Sequence, residues 1–143
     1  MTPRIQIASN SDDIARCFEV MHELRPHLTL ESFLAQAARQ QTQGWRLAFL
    51  ESDGVVRSVT GYRLLENLAW GRFLYVDDLV TRDVDHGGGF GSRLLDWLVE
   101  EAKRQGCDQF HLDSGVQRFG AHRFYLHKGM DITSHHFAMR LEV

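Results

Sequence analysis

The sequence predicts an α/β fold, in the broad sense that includes α+β: a mixed central β-sheet flanked by helices, in the element order β-α-α-β-β-β-α-β-α-β-β. Three observations predict it. Strand-like alternation of apolar residues dominates the middle of the first half and predicts a hairpin there. Other segments repeat apolar residues every three or four positions, as core-facing helices do. A glycine cluster at 87–91 separates an apolar run from such a helix, which is typical of a helical crossover.

The first half opens with a short strand and two helices. Ile5 and Ile7 alternate with polar residues, as in a strand with one buried face. Ser11 offers an N-cap for one continuous helix, whose apolar stripe stops before Pro26. Thr29 offers the cap of the second helix, which we expect Gly44 to close.

Three strands are expected next. Residues 45–51 and 55–65 are rich in β-favouring residues and are joined by a Ser-Asp-Gly turn, which predicts a hairpin. Gly61 inside the second of these strands is typical of a bulge. Residues 72–81 have the composition of a buried central strand.

The second half contains two helices and three strands. Leu94, Leu95, Leu98 and Ala102 form one face of a helix that ends at Gly106. The remaining elements are expected in this order: a strand at 108–113, a short helix at 119–127, and strands at 130–134 and 136–141. No linker or repeat divides the chain, so we expect a single domain over residues 1–143.

Composition and charge exclude several classes of protein. A formal net charge of -3 and a pI near 6.2 give no general attraction to nucleic acid or to an anionic membrane. The two cysteines are isolated, which argues against a disulfide framework and favours a reducing compartment. The N-terminal residues lack the apolar stretch of a signal peptide, and no run is long enough to span a bilayer. We therefore expect a cytoplasmic protein.

The segment His86-Gly87-Gly88-Gly89-Phe90-Gly91-Ser92, called the glycine turn below, favours phosphate binding. A glycine loop between a strand and a helix directs main-chain N–H groups outwards, and the helix dipole favours a negative charge there. A dinucleotide fingerprint is excluded because Leu94 occupies the position of the last small residue. A P-loop lacks its Gly-Lys-Ser/Thr, and an esterase lacks its GxSxG elbow. A flexible surface loop remains the structural alternative.

The glycine turn resembles the signature of the GNAT family of N-acetyltransferases: Gln or Arg, two residues, Gly, one residue, then Gly or Ala. The segment at 121–130, Ala-His-Arg-Phe-Tyr-Leu-His-Lys-Gly-Met, is similar to the family's A-x-x-F/L-Y-x-x-x-G-F segment. The resemblance implies the GNAT fold and acetyl-CoA as cosubstrate, without a metal. It also implies cofactor contacts from His86, Gly87, Gly88, Gly89, Phe90, Gly91 and Ser92.

The resemblance further implies roles for residues outside the turn. Tyr125 would be the general acid that protonates the departing thiolate, and Arg118, Ala121 and Tyr125 would contact the cofactor. A bulge in the central strand would leave the backbone of Leu79, Val80 and Thr81 available to the pantetheine arm. The sequence departs from the family twice: His86 replaces Gln or Arg, and Arg118 stands where many relatives have Asn.

Asp77 and Asp78 interrupt the apolar run of the central strand. Because an unpaired buried carboxylate is costly, at least one must face a cleft or pair with an arginine such as Arg72. In a cleft, a carboxylate could attract a substrate ammonium and accept its proton, so both are candidate catalytic residues. By the family's layout the acceptor site would include Arg25, His27, Trp70, Asp77, Asp78 and His135.

Three functions fit this sequence. The first hypothesis is acetylation of a primary amine on a small molecule, with that amine as the partner and a monomer or homodimer as the assembly. The alternatives are acetylation of a protein lysine or N-terminus, which would need an open groove, and a non-catalytic acetyl-CoA-binding module. The eight histidines show no ligand spacing on one helix face, so no metal site is predicted.

Overall fold

The computed structural model describes residues 2–142, which fall into two compact units, one extending to His111 and the other beginning at Leu112. The elements are β1 Arg4–Ile7, α1 Ser11–Arg16, α2 Phe18–Leu24, α3 Leu30–Gln41, β2 Trp45–Ser52, β3 Val55–Asn67, β4 Gly71–Thr81, α4 Phe90–Arg104, β5 Gln109–Leu112 and α5 Phe119–His127. A 3-10 turn at Asp83–Asp85 precedes α4. Across residues 2–142, no helix is both long and apolar enough to cross a membrane.

Within the described residues the strands form one sheet in the order β1-β2-β3-β4-β5. The first four are antiparallel neighbours, as expected for strands joined by hairpins. Helix α4 connects β4 to β5, a crossover of the kind that joins parallel strands. The predicted fold class, a mixed sheet flanked by helices, is confirmed.

The core has two layers, one on each face of the sheet. On one face, side chains of α1–α3 pack against alternate residues of β2, including Trp45, Leu47 and Phe49. On the other, α4 contacts β3 and β4 with its apolar stripe buried, and the Tyr62 hydroxyl donates to Glu101 Oε2 at 3.1 Å. Burial is the main reason that the pKa of Tyr62 is raised. This packing fixes the sheet that carries the sites described below.

The first helix is divided, contrary to the continuous helix expected from its apolar stripe. The helical ladder is interrupted at Cys17, whose N–H donates to the Ile14 carbonyl three residues back and whose sulfur contacts the Asp13 carbonyl. These local bonds tighten the turn and separate α1 from α2. The N-cap is Asn10, whose side chain accepts from Asp13 N, and not Ser11. Thr29 caps α3 as predicted, in a capping box with Ser32.

The last two predicted strands, at 130–134 and 136–141, are not formed. Residues 130–142 have no regular secondary structure in the part of the chain that is described. Their apolar members are exposed, with Phe137 at 91%. Alternation of apolar residues signals a strand only where one face is buried, and these side chains have no such face. The short helix at 119–127 and the strand near 108–113 do form, with only their end residues adjusted.

Candidate active site

The glycine turn reverses the chain between β4 and α4 by using two left-handed residues. Gly87 has φ 90° and Gly89, the N-cap of α4, has φ 80°. These values are strained for any residue with a side chain. A Cβ on Gly91 would lie 3.0 Å from the Thr81 hydroxyl oxygen, so the turn also lies close against the end of β4. The sequence therefore needs glycine here for conformation and for close packing.

The N-terminus of α4 has the features of an anion site. Gly89 offers no side chain to cap the 15-residue helix, and no side-chain cap is found among residues 2–142. The first amides of a helix lack intrahelical partners and carry the positive end of its dipole. Space is open around Gly87 and Gly89, where an added Cβ would meet no atom within 4 Å. A diphosphate fits this cradle of N–H groups.

Asp85 anchors the segment that leads into the turn. Its carboxylate accepts from Arg82 Nε at 2.6 Å and from Arg57 Nη1 at 3.1 Å. The hydrogen bond from Arg82 is the main reason that the pKa of Asp85 is lowered, so the carboxylate stays ionised. Arg57 also lies over the ring of Phe90 with 6.0 Å to its centroid. These contacts fix both sides of the turn to β3.

Two further contacts hold the same segment. Glu23 of α2 accepts from the main-chain N–H of Asp83 at 2.8 Å. His86 is exposed, and its Nε2 lies 3.3 Å from the Thr81 carbonyl oxygen, so the ring is directed towards β4. The structure thus gives His86 a contact with the strand end, whereas the resemblance implied that it contacts the cofactor.

A bulge in β4 shapes the second part of the site. Gly61 pairs with Asp78 whereas Tyr62 pairs with Val76, which makes Asp77 the additional residue in β4. The bulge lies beside the glycine at which the sequence suggested one. The bulge bends β4 locally. Asp77 and Asp78 therefore lie on a distorted stretch of backbone, where regular pairing with β3 is interrupted.

Beyond the bulge, β4 presents main-chain groups on its second edge. Arg82 N–H donates to the Arg57 carbonyl on β3. In an antiparallel pair every second residue bonds to the same neighbour, so the main-chain groups of Val80 also point towards β3. Leu79 and Thr81 therefore direct their main-chain N–H and C=O groups away from β3. The neighbouring strand β5 begins beside Arg72 and has four residues, too few to extend along these positions.

A cavity of about 330 Å³ opens next to the bulge, between α2, α3, β2 and β4. We call it the β4 cavity. Its inner wall is largely apolar and includes Phe33 and Trp45. Its polar lining consists of Arg25, His27, Gln36, Gln40, Asp77 and Asp78. The cavity thus combines apolar walls with several converging polar groups, more polar than a typical small-molecule site but of the same concave form.

Both carboxylates of the β4 cavity are held by arginines at one oxygen. Asp78 Oδ1 accepts from Arg25 Nε at 2.8 Å and lies 2.7 Å from Arg25 Nη2. Asp77 Oδ2 accepts from Arg63 Nε at 2.8 Å. Burial is the main reason that the pKa of Asp77 is raised, and the bond from Arg63 opposes it. Within residues 2–142, Asp78 Oδ2 and Asp77 Oδ1 have no hydrogen-bond partner and are available to a ligand.

Asp77 and Asp78 thus both face a cleft and pair with arginines. The sequence had presented these two outcomes as alternatives. The arginine named as an example, Arg72, is engaged elsewhere: its Nε donates to the Gln105 carbonyl. Arg25 and His27 line the cavity as expected. Trp70 lies in another place, at the start of β4, where it stacks on His111 with 3.6 Å between ring centroids.

Four of the eleven described residues that line the β4 cavity were named from the sequence and seven were missed, of which Gln36, Gln40 and Trp45 carry hydrogen-bonding side chains. Gln36 and Gln40 are on α3 one turn apart, and Gln36 Nε2 donates to Gln40 Oε1 at 2.8 Å. Two glutamines four residues apart at the border of the apolar stripe look like the edge of an ordinary solvated face. Trp45 looks like an ordinary core residue of a strand. Neither pattern carries a signal of function.

The second unit contains the remaining predicted residues. Arg118 occupies the N-cap position of α5, and Ala121 and Tyr125 lie on that helix. Burial raises the pKa of the Tyr125 phenol, and the charge of Arg118 opposes this. The helix ends at Gly129, whose φ is 93°, and Met130 N–H donates to the Tyr125 carbonyl. His135 is exposed in the irregular segment that follows.

Comparison with known proteins places these features in a family. The sequence model of the Acetyltransferase (GNAT) family matches residues 8–130. An uncharacterized N-acetyltransferase of Bacillus subtilis, YhdJ, is 32% identical over 131 residues, covering 90% of this chain and 92% of the relative. An aminoalkylphosphonate N-acetyltransferase of Salmonella typhimurium is 35% identical over 66 residues, 46% of this chain and 43% of the relative.

The fold has a close counterpart among solved structures. The structure of AAC(6')-Iy in complex with the bisubstrate analogue CoA-S-monomethyl-acetylneamine superposes with a TM-score of 0.84 at 12% identity, covering 100% of both chains. At this identity the likeness shows the fold alone.

Proposed function

Because the chain belongs to the GNAT family of acetyltransferases and is an acetyl-CoA-dependent N-acetyltransferase, we propose that it acetylates a primary amine of a small molecule bound in the β4 cavity. One observation carries the proposal. Asp77 and Asp78 face a cavity of about 330 Å³, each with one oxygen held by arginine and the other available. Such paired carboxylates attract an ammonium group, and the volume suits a small molecule.

The fit of acetyl-CoA rests on the chain's own groups. Acetyl-CoA, when bound, supplies an activated thioester whose acetyl carbon the amine attacks directly. The uncapped amides at the start of α4 would bind its diphosphate, each contributing about 1.5–3 kcal/mol as a charge-assisted bond. Leu79 and Thr81 offer main-chain groups to the pantetheine arm as a neighbouring strand would. The turn and the strand edge would thereby orient the thioester.

Removal of the proton from the ammonium is the task of the carboxylates. The oxygens available for it are Asp78 Oδ2 and Asp77 Oδ1, directly or through one water. Burial raises the pKa of Asp77 and so increases its affinity for a proton. Arg25 and Arg63 hold the other two oxygens and keep the carboxylates oriented. We therefore assign Asp78 and Asp77 to binding and deprotonating the amine.

Tyr125 is proposed as the proton donor to the leaving thiolate. Its phenol is half-buried and its raised pKa keeps Oη protonated at neutral pH. Protonation by a positioned acid typically accelerates such a step by about 100- to 10,000-fold. In the same unit, Arg118 and Ala121 flank the tyrosine on α5 and are proposed cofactor contacts.

The class of acceptor is supported by the relatives. One of them is named as an aminoalkylphosphonate N-acetyltransferase, and the solved counterpart holds an analogue that joins CoA to an aminoglycoside derivative. Both named acceptors are small molecules with an amino group. The β4 cavity, lined on several sides, favours the same class over an extended peptide.

The decisive experiment measures CoA release from acetyl-CoA with two sets of acceptors. One set contains small primary amines, and the other contains lysine-bearing peptides and peptides with free N-termini. We expect turnover with members of the first set and only the background rate, measured without acceptor, with the second. Turnover with peptides alone would contradict the proposal and favour protein acetylation. Acetyl-CoA binding with no turnover on either set would favour a non-catalytic module.

A further inference from the structure

Trp45 holds an unused hydrogen-bond donor in the wall of the β4 cavity. Its side chain is 3% exposed, and its indole Nε1–H has no partner within the described part of the chain. The same residue lines the cavity together with Asp77 and Asp78. Buried donors in folded proteins are almost always paired, because an unpaired one destabilises the fold. Trp45 therefore brings to the cavity lining a donor that lacks an acceptor among the described residues.

The position of this donor is set by Gly61. A Cβ at Gly61 would lie 2.7 Å from Trp45 Nε1 and 3.2 Å from Cε2 and Cζ2, so the indole edge occupies the space that a side chain would fill. Gly61 pairs with Asp78 at the bulge. The indole N–H is thus held next to the strand segment that carries both carboxylates. Trp45 and both carboxylates therefore belong to the lining of one cavity.

The chemistry around the donor selects a neutral acceptor group. An indole N–H only donates, so its partner must be an acceptor such as an ether, hydroxyl or carbonyl oxygen. Arg25 and Arg63 are already engaged by Asp78 and Asp77, so an anionic group would meet the carboxylate oxygens left unpaired within residues 2–142 and not a free arginine of these two pairs. Gln36 and Gln40 add neutral amide groups to the same wall. A plain alkyl chain would bury the N–H without a partner.

We propose that Trp45 determines acceptor specificity by donating from Nε1 to a neutral oxygen of the substrate. The substrate class is then a small primary amine with an ether, hydroxyl or carbonyl oxygen a few bonds from the amino group, as in an amino alcohol or an amino sugar. This inference rests on the proposed function, because it takes the β4 cavity as the acceptor site.

The first test compares amines that differ by one oxygen. The pairs are 2-methoxyethylamine with n-butylamine and 3-methoxypropylamine with n-pentylamine, in which an ether oxygen replaces a methylene group. For the better pair, we expect the ether-to-alkyl ratio of kcat/KM to be about 10-fold higher in the wild type than in Trp45→Phe. Both amines are measured on the same variant, so the ratio does not depend on how much of that variant is folded.

Two further variants isolate the N–H from the bulk of the ring. Gly61→Ala keeps the indole but displaces its edge, and we expect the ratio to fall as in Trp45→Phe. Trp97→Phe removes an indole on α4, which packs against Tyr62 on the other face of the sheet, and we expect the wild-type ratio. An unchanged ratio in Trp45→Phe, or the same loss in Trp97→Phe, would overturn the role of Trp45.

A measurement without turnover separates this inference from the proposed function. In a ¹H–¹⁵N spectrum the indole signal of Trp45 is identified by its absence in Trp45→Phe. We expect 3-methoxypropylamine to shift this signal and n-pentylamine to leave it nearly unmoved. Turnover of amines without such a shift or ratio would retain the proposed function and overturn the specificity role. A larger Trp45-dependent ratio for 2-aminoethylphosphonate over n-butylamine than for the ethers would overturn the neutral-oxygen class.

Discussion

The glycine turn and the β4 cavity both depend on the second half of β4, yet they are built in opposite ways. The turn is a run of consecutive residues, and its main-chain amides are proposed to bind the diphosphate. The cavity brings together side chains from α2, α3, β2 and β4, with Arg25 and Asp78 separated by 53 positions in sequence. A site made of backbone depends on conformation, so glycine is its essential residue. A site made of side chains depends on packing, so no short motif defines it.

Gly89→Glu should break the turn without affecting the cavity, and it has the largest expected effect. The new side chain would be strained at φ 80° and would place a negative charge among the amides of the phosphate cradle. Loss of two charge-assisted bonds at about 1.5–3 kcal/mol each corresponds to an affinity for CoA weakened by at least about 100-fold. Isothermal titration calorimetry with CoA measures it.

The matched control for this substitution is Gly106→Glu. Gly106 also has a positive φ, 73°, with open space around it, but it follows the other end of α4. We expect CoA affinity close to that of the wild type. Equal loss in both variants would show that strain or charge on the helix, and not the turn, causes the effect.

Tyr125→Phe sharpens the comparison, because Tyr125 belongs to a sequence motif like the turn but acts through a side chain like the cavity. Removing the phenol oxygen removes the proposed proton donor, so we expect kcat to fall by about 100-fold. The affinity for acetyl-CoA should stay within about 10-fold, since one neutral hydrogen bond is worth about 0.5–1.5 kcal/mol. Steady-state kinetics and calorimetry measure the two. Full activity would remove Tyr125 from the mechanism.

Asp78→Asn tests the cavity while leaving the turn intact. The amide has the shape of the carboxylate but neither its charge nor its basicity. We expect kcat/KM for the amine to fall by roughly 10- to 100-fold through loss of a charge-assisted bond, with CoA affinity unchanged. Glu100→Gln is the control: it neutralises an exposed carboxylate paired with Lys103 on α4. A drop in CoA affinity in Asp78→Asn would mean that the two regions are not separable.

Arg63→Gln has the smallest expected effect and concerns only the pH dependence of the cavity. Arg63 lowers the pKa of Asp77 through its hydrogen bond and charge, against the dominant effect of burial. Its removal raises that pKa further, so a higher pH is needed to ionise Asp77. We expect the acidic limb of the kcat/KM profile to move to higher pH. Arg63→Lys keeps the charge and should move it less. If the acidic limb of the kcat/KM profile does not move in Arg63→Gln, Asp77 does not control it.

Several features of this protein followed from the sequence because they are local. The α4 turn needs its glycines for positive φ, and Thr29 caps α3 through a hydrogen bond to a residue three positions away. The family named from the glycine turn and the segment at 121–130 was confirmed by the match over residues 8–130. Such local geometry depends on residues that are close in the chain, so it can be predicted from the sequence.

Other local signals were misleading where packing decides. The apolar stripe from Ile14 to Leu24 predicted one helix, but bonds around Cys17 divide it. The alternation in 130–141 predicted two strands, but those side chains are exposed and unpaired in a sheet. The single-domain assignment of residues 1–143 and the roles of Tyr125, Arg118, Ala121 and His135 stay predictions.

By itself the sequence determined the fold class, the glycine turn before α4 and the presence of two carboxylates in the central strand. Only the tertiary structure decided that Arg25 holds one oxygen of Asp78 and that Arg63 holds one oxygen of Asp77. It also decided that the Trp45 indole packs against Gly61. The physical reason is that backbone conformation depends on neighbouring residues, whereas the partners of a side chain depend on which distant strands and helices pack together. The proposed acceptor site of this enzyme belongs to the second kind.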